Sequence, residues 1–296
     1  MSVLSDTVRV CLMIEGQEGV TWGQWRALAT TAEAAGFEAL FRSDHYMPLE
    51  GGEGGSLDAW ATINALAAIT STIRLGTLVS PATFRHPSVL ARAVVTADHV
   101  SNGRVELGLG AGWHEGEHAA FGFPFDSMND RFDRLTEQME IVHRSWTEGP
   151  FDFDGRHYRL EQADPQPKPL QDPHPPLIAG GGARRRSAAL AARWADEYNT
   201  VYATREECQA RRERVAAACA EAGRDPIPFS LMTSFAVDGD PADHHPAWIV
   251  GSIDEMARQL QELEQAGVER IMFQHLRHHD LDAVELIGRE LIPIVS

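Results

Sequence analysis

Apolar runs that end in turn residues alternate along the chain with segments whose apolar residues recur every three or four positions. Short apolar runs are typical of buried β-strands, and the wider spacing is typical of amphipathic α-helices. The clearest helix places Phe132, Leu135, Met139, Val142 and Trp146 on one face. The alternation therefore predicts repeated units of one strand followed by one helix.

Eight strands and eight helices are predicted in strict alternation. The predicted strands are Val8–Ile14, Phe37–Phe41, Ile73–Val79, Val105–Leu109, Leu177–Ala179, Tyr198–Val201, Phe229–Val237 and Arg270–Phe273. The predicted helices are one that buries Trp25, Leu28, Ala29 and Ala32, then Leu57–Thr70, Ser88–Val100, the helix of Phe132–Trp146, one from Ala183, Thr204–Gly223, Ser252–Ala266 and Leu281–Leu291. Two helices begin with a capping box, Thr204 with Glu207 and Ser252 with Glu255. This pattern predicts an α/β fold, a (β/α)₈ TIM barrel that forms one domain over residues 1–296.

One stretch, about residues 149–176, breaks the alternation. Phe151–Tyr158 predicts a hairpin around Asp154–Gly155, and a proline-rich run to Pro176 follows it. We interpret this stretch as an insertion after the fourth helix and not as a domain boundary.

Composition and charge narrow the function classes. With 43% hydrophobic and 23% charged residues, the chain has the composition of a soluble globular protein. Its formal net charge of −17 disfavours nucleic acid and anionic membrane surfaces as partners. No apolar run reaches the length of a membrane span, and Met1–Asp6 lacks the features of a signal peptide. We therefore expect a cytoplasmic protein.

In TIM barrels the chemistry lies on the loops that follow the strands, so polar residues there are the candidates. These loops carry Glu15, Ser43–His45, Val79–Pro81 with Arg85–His86, Gly110–His118 and Gly180–Gly182. The glycine-rich patch Gly51–Ser56 follows the second strand, where we expect a mobile rim or lid.

Asp44 and His45 would place a carboxylate and an imidazole at the barrel mouth, where they could transfer protons or orient a cofactor. The alternative is that Asp44 caps a loop and His45 only packs. Trp113, and with less support Trp22 and Trp60, are candidates for the walls of a pocket that holds a planar ligand.

Gly180, Gly181 and Gly182 lie between a strand and a helix, followed by Arg184–Arg186. Free backbone N–H groups, the positive end of the helix and the arginines could together bind a phosphate. The alternative is a tight turn beside a solvated helix face. Gly108–Gly112 does not match a dinucleotide-binding motif, and we expect its glycines to let a flat ligand approach the fourth strand.

His114–His118 reads His-Glu-Gly-Glu-His and matches the H-E-x-x-H pattern of zinc hydrolases. A zinc metallohydrolase is therefore one alternative. Against it, the motif directly follows a glycine-rich strand end, has Gly116 at its centre, and has no third ligand at a recognised spacing.

Taken together, these motifs resemble the bacterial-luciferase-like flavin and deazaflavin oxidoreductases, and specifically the branch that uses coenzyme F420. The resemblance covers nearly the whole chain and rests on Gly36–Tyr46, Ile73–Val79 with Phe84–Pro87, Ser101–Trp113, Glu117–His118 with Phe121–Gly122, and Pro175–Gly182.

The resemblance implies specific roles. Asp44 and His45 match the catalytic pair beside the deazaflavin ring, and Leu78–Val79 matches a non-proline cis peptide that backs the ring. The cofactor-binding residues that it implies are Leu78, Val79, Ser80, Gly112, Trp113, His114, Gly180, Gly181, Gly182 and Arg184. It also implies a homodimer.

The expected function is hydride transfer between coenzyme F420 and an unidentified small organic substrate. The alternatives are an FMN-dependent monooxygenase with a partner flavin reductase, the zinc hydrolase, and a carrier of the deazaflavin without enzymatic activity. A related deazaflavin-dependent glucose-6-phosphate dehydrogenase has a glutamate where Trp113 stands, and Lys168 is the one lysine of this chain. Both observations disfavour a sugar-phosphate substrate.

Overall fold

Within residues 8–49 and 54–295, which the computed structural model describes, eight parallel strands close into a barrel. With three strands outside the barrel (β5, β6 and β10), the strands of these residues are β1 (Arg9–Ile14), β2 (Ala39–Arg42), β3 (Arg74–Pro81), β4 (Val105–Gly110), β5 (Phe151–Asp154), β6 (Arg159–Ala163), β7 (Leu177–Gly180), β8 (Glu197–Val201), β9 (Phe229–Val237), β10 (Ile249–Gly251) and β11 (Arg270–Gln274). Around the barrel the order is β1, β2, β3, β4, β7, β8, β9 and β11, and β11 pairs with β1. The predicted TIM barrel is confirmed.

Helices cover the outside of the barrel. They are α1 (Trp22–Ala34), α2 (Ala59–Ala67), α3 (Pro87–Ser101), α4 (Glu115–Phe121), α5 (Met128–Thr147), α6 (Arg185–Trp194), α7 (Arg205–Glu221), α8 (Ile253–Gln265), α9 (Leu281–Leu286) and α10 (Ile292–Val295). The buried residues of α1 are the four that its apolar spacing predicts, and Thr204 and Ser252 cap α7 and α8 through capping boxes. No helix of this part of the chain combines the length and apolar character needed to cross a membrane.

The structure adds detail that the pattern missed. The short helix α4 lies in the loop after β4, and the edge strand β10 pairs in parallel with β9. The predicted closing helix Leu281–Leu291 is interrupted, because α9 passes through a π-helical turn at Ile287–Leu291 before α10. In the insertion, β5 and β6 form the predicted hairpin. Gly51–Glu53 of the expected lid lie outside the described residues, and Gly54–Ser56 have no regular structure.

The barrel interior is stacked in layers, because alternate residues of each strand point inward. On β11, the inward residues are Arg270, Met272 and Gln274, from the bottom of the barrel to its mouth. Met272 belongs to an apolar middle layer with Met13 and Phe41. The barrel therefore has an ionic floor, an apolar middle and an open polar mouth.

The floor is an ion-pair network around Arg270. The guanidinium of Arg270 contacts Glu38 at 2.9 Å, Glu106 at 2.9 Å and Glu197 at 2.6 Å. Burial opposes the ionisation of Glu106, but Arg270 and Arg74 outweigh it and hold the pKa of Glu106 below its ordinary value. This network closes the bottom of the barrel, so the mouth is the end that remains open to ligands.

At the mouth, β3 has an irregular backbone. The peptide bond between Leu78 and Val79 is cis, as the family resemblance implies, and the register with β4 shifts between Thr77 and Ser80. A Cβ atom on Gly110 would lie 2.6 Å from Val79 Cγ2. The glycine on β4 thus lets the side chain of Val79 lie directly against the neighbouring backbone.

Candidate active site

A cavity of about 510 Å³ opens at the carboxyl ends of the barrel strands. Its wall includes seven of the residues predicted to act or bind: His45, Leu78, Val79, Gly112, Trp113, Gly180 and Gly181. The other lining residues are Glu15, Ser43, Leu49, Pro81, Gly110, Ala111, Met128, Asn199, Val201, Tyr202, Met232 and Gln274. Asp44, Ser80, His114, Gly182 and Arg184 are not part of this wall. The cavity has a size that suits a cofactor or another small molecule.

His45 is held by a buried carboxylate. Its Nδ1 lies 2.7 Å from Oε2 of Glu117, and the edge of the His45 ring faces Trp113 with 5.7 Å between ring centroids. The other oxygen of Glu117 accepts a hydrogen bond from the backbone N–H of Tyr46. Because a carboxylate only accepts, Nδ1 carries a proton in this contact, and Nε2 is the nitrogen left free to exchange a proton or accept one from a ligand.

The charge on Glu117 follows from these contacts. Burial raises the cost of ionising this carboxyl group, but the hydrogen bonds from His45 and from the Tyr46 N–H outweigh that cost. As a result, the pKa of Glu117 lies below its ordinary value of 4.5. An ionised Glu117 therefore orients the ring of His45 at neutral pH.

The sequence interpretation placed both Asp44 and His45 at the barrel mouth, but only His45 lines the cavity. Its carboxylate is buried behind the wall and forms a two-point ion pair with Arg85, at 2.5 and 3.1 Å. Ser80 donates to Asp44 at 2.6 Å and accepts from Nε1 of Trp60 at 3.1 Å. Asp44 and Ser80 thus brace the mouth from behind, because the strand pleat directs consecutive residues to opposite sides. Trp60 belongs to this support and not to the pocket wall.

The glycine segment lies where a strand meets a helix. Gly180 and Gly181 line the cavity, Gly181 has a φ of 136°, and Gly182 is exposed with no atom within 4 Å of its Cβ position. The N-cap residue of α6, Arg184, makes no side-chain capping bond. The first N–H groups of α6 are therefore free to bind an anion.

The three arginines that follow have different surroundings. Arg186 pairs with Asp133 on α5, so its charge is already neutralised. Arg184 and Arg185 are exposed, and no salt bridge to either is found among the described residues. Only the first two arginines are therefore available to a ligand next to the glycine segment.

The His-Glu-Gly-Glu-His motif serves a structural purpose. His114 caps α4 by accepting from the N–H of Glu117 at 3.1 Å, while both ring nitrogens of His118 are engaged, with Thr83 and with the carbonyl of His114, each at 2.7 Å. In the described part of the chain, no group of three or more His, Cys, Asp or Glu residues is arranged to hold a metal ion. The geometry gives no support to the zinc alternative.

Sequence reasoning missed four residues of the site. Glu117 entered only through the zinc motif and the family resemblance, with no role assigned, although its carboxylate binds His45. Asn199 lines the cavity from the middle of β8, Tyr202 directly follows β8, and Gln274 ends β11. The strand-end rule applies to Tyr202 and Gln274, because each directly follows a predicted strand.

Comparison with known proteins agrees with this geometry. The model of the luciferase-like monooxygenase family matches residues 8–244. An F420-dependent hydroxymycolic acid dehydrogenase of Mycobacterium tuberculosis is 34% identical over 72% of this chain and 59% of its own length. An F420-dependent glucose-6-phosphate dehydrogenase of Amycolatopsis mediterranei is 38% identical over 52% of this chain and 46% of its own length. The chain thus spans about half the length of the curated relatives it matches.

A solved structure has the same fold. An F420-dependent secondary alcohol dehydrogenase, in complex with an F420-acetone adduct, superposes with a TM-score of 0.85. The superposition covers 98% of this chain and 99% of that chain, at 20% sequence identity. It agrees with the barrel described above.

Proposed function

Because the chain belongs to the luciferase-like monooxygenase family, we propose that it is an oxidoreductase that binds coenzyme F420 at the barrel mouth. The coenzyme would carry a hydride to or from a small organic substrate. The observation that supports this best is the combination of a free His45 Nε2 with a cavity that joins the Leu78–Val79 bulge to the Gly180–Gly181 segment.

The wall of the cavity fits a flat ring. On one side, Leu78 and Val79 line the cavity next to Gly110 at the end of β4, and Gly110 and Gly112 leave this backbone bare of side chains. Trp113 lies beside them and is 61% exposed, so its ring is free to cover a ligand. Such a site would hold a planar group mainly by dispersion and by exclusion of water.

A phosphate of the coenzyme would bind next to this wall. The uncapped N-terminus of α6 offers N–H groups and the positive end of the helix dipole, and Gly182 adds no side chain that would block approach. Arg184 and Arg185 would contribute positive charge, which an anionic coenzyme needs in a chain with a net charge of −17.

His45 is the residue that would handle the proton. When bound, the deazaflavin would accept or donate a hydride, which carries both electrons of the reaction. Oxidation of an alcohol to a carbonyl releases one proton in addition to the hydride, and reduction of a carbonyl requires one. His45 Nε2 would accept or donate that proton, with Glu117 holding the ring in place through Nδ1.

The second candidate is an FMN-dependent monooxygenase served by a flavin reductase, because the matching family is named for monooxygenases. The cavity and the anion site at α6 would also accept FMN. A cytoplasmic location is proposed from the sequence alone, and a homodimer is proposed through the family resemblance alone. Light scattering tests the homodimer.

Titration of the purified protein with coenzyme F420, FMN and FAD separates the two candidates. We expect saturable binding of coenzyme F420, and Arg184→Gln should weaken it about threefold to tenfold by removing roughly 1 kcal/mol of charge attraction. Arg193→Gln at the other end of α6 is the matched control and should leave the affinity unchanged. Micromolar binding of FMN with no affinity for coenzyme F420 would favour the monooxygenase.

A further inference from the structure

We infer that Glu15, held by Gln274 and Gln17, recognises a hydrogen-bond donor on the substrate and excludes substrates with an acidic group. This inference rests on the proposed function, since it assigns the substrate class of the same pocket. The donor would be a hydroxyl group or a protonated amine near the reacting carbon, on a largely apolar molecule.

Glu15 is a fixed carboxylate in the pocket wall. Its Oε1 accepts from Nε2 of Gln274 at 2.5 Å, and its Oε2 accepts from Nε2 of Gln17 at 2.9 Å. A carboxylate has about four acceptor positions, so two amide donors leave capacity for a further donor. Because Glu15 lines the cavity, a bound ligand could use that capacity.

The charge of Glu15 is not neutralised by the protein. Across residues 8–49 and 54–295, no Lys, Arg or His forms a salt bridge with this carboxylate. Nor does any Lys or Arg line the cavity among these residues. An acidic group of the substrate next to Glu15 would therefore meet a like charge with no Lys or Arg of the cavity wall to offset it, at a cost that rises as water leaves the pocket.

A second layer fixes the orientation of Gln274. Its Oε1 accepts from Ser234 at 2.9 Å and from the hydroxyl of Tyr202. Since Glu15 can only accept, the amide nitrogen of Gln274 must face Glu15 and the amide oxygen must face the two hydroxyls. The carboxylate is thus presented in one orientation, which is what selective recognition requires.

This polar wall lies next to the proton-handling group. Glu15 follows β1, and β1 pairs in parallel with β2, the strand that precedes His45. Much of the remaining wall is apolar, with Val79, Met232 and Val201 among its residues. A substrate that contacts both His45 and Glu15 therefore carries its donor group close to the reacting carbon, on an otherwise apolar body.

Three probes that share a cyclohexane ring test the inference. They are cyclohexanol, a cyclohexanediol, and a hydroxycyclohexane carboxylate whose carboxylate takes the ring position of the diol's second hydroxyl group. Their dissociation constants are measured by calorimetry on the protein loaded with whichever coenzyme binds. We expect the diol to bind at least tenfold more tightly than the carboxylate. Glu15→Gln should reduce that ratio about tenfold, roughly 1.4 kcal/mol.

Glu18→Gln is the matched control, because it removes the same charge three residues further on, outside the cavity wall. It should leave the ratio unchanged. The inference is wrong if Glu15→Gln and the unaltered protein discriminate equally, or if the unaltered protein does not bind the diol.

Coenzyme affinity, measured on the same samples, separates this inference from the proposed function. If Glu15→Gln remains folded but loses the coenzyme, Glu15 belongs to the coenzyme site and the inference fails while the proposed function stands. If the unaltered protein binds FMN and not coenzyme F420, the proposed function fails, and the ratio of the probes still decides the role of Glu15.

Discussion

At the scale of single residues, the contact between His45 and Glu117 organises the site. Glu117 has no exposed side-chain surface, and its two oxygens bind the ring of His45 and the backbone of Tyr46. A buried carboxylate with two donors is stable as an anion, and it selects the tautomer of the histidine that it binds. His45 therefore depends on a residue that does not itself reach the cavity.

We predict that Glu117→Gln lowers the turnover number about tenfold to a hundredfold, because the ring of His45 loses its orienting charge. The dissociation constant of the coenzyme should change much less, since Glu117 does not line the cavity. Steady-state kinetics with a substrate found by screening, together with coenzyme titration, measures both. Glu115→Gln, two residues earlier on the same helix α4, is the control. Equal turnover in the two variants would contradict a positioning role for Glu117.

At the scale of elements, the insertion between α5 and β7 is fixed to the barrel by a buried carboxylate on α3. Asp98 is fully buried and accepts from the backbone N–H groups of Leu170 at 2.6 Å and Gln171 at 3.2 Å. Its other oxygen accepts from Nε2 of Gln171 at 2.7 Å. This side chain thereby anchors Leu170 and Gln171, and Arg92 and His99 of the same helix hold the residues just before them.

We predict that Asp98→Asn lowers the free energy of unfolding by about 1–3 kcal/mol, because an amide group replaces one acceptor and leaves a buried donor unpaired. Hydrogen exchange should accelerate at Leu170 and Gln171 more than in the barrel strands. Glu161→Gln on the exposed face of β6 should have neither effect. Unchanged exchange in the insertion would show that Asp98 is not its anchor.

Local features could be predicted from the sequence, because they depend on residues close together in the chain. The apolar face of α1, the capping boxes at Thr204 and Ser252, and the hairpin near Gly155 are of this kind. The contact between His45 and Glu117 joins residues 72 positions apart, and no spacing rule predicts it. Asp44 and His45 were expected together at the barrel mouth, and of the two only His45 lines the cavity, because neighbouring residues point in opposite directions at a strand end.

At the scale of the whole molecule, charged side chains lie at both ends of the barrel. The floor holds Arg270 among Glu38, Glu106 and Glu197, with the Arg270 side chain 4% exposed. The mouth has the exposed arginines at the start of α6 on one side and, on another, Glu15, which forms no salt bridge within residues 8–49 and 54–295. The apolar middle layer separates the floor from the mouth, so each can be changed without the other.

We predict that Arg270→Met lowers the free energy of unfolding by about 3–5 kcal/mol at pH 7, since it leaves buried carboxylates without their partner. Glu106 has a lowered pKa in the folded protein, so its contribution is present above its ordinary value of 4.5 and is lost as the pH falls through the folded value. The difference between the two proteins should therefore narrow below pH 4.5. Denaturant unfolding across this range measures it, and a constant difference would contradict the role of ionised Glu106.

The most direct test of the proposed site is a crystal structure of the protein with oxidised coenzyme F420. We expect the deazaflavin ring to lie against Leu78, Val79 and Gly110, with His45 next to the ring and a phosphate group of the coenzyme near Gly182 and Arg184. A coenzyme bound elsewhere, or with its ring out of reach of both His45 and Val79, would contradict the proposed site.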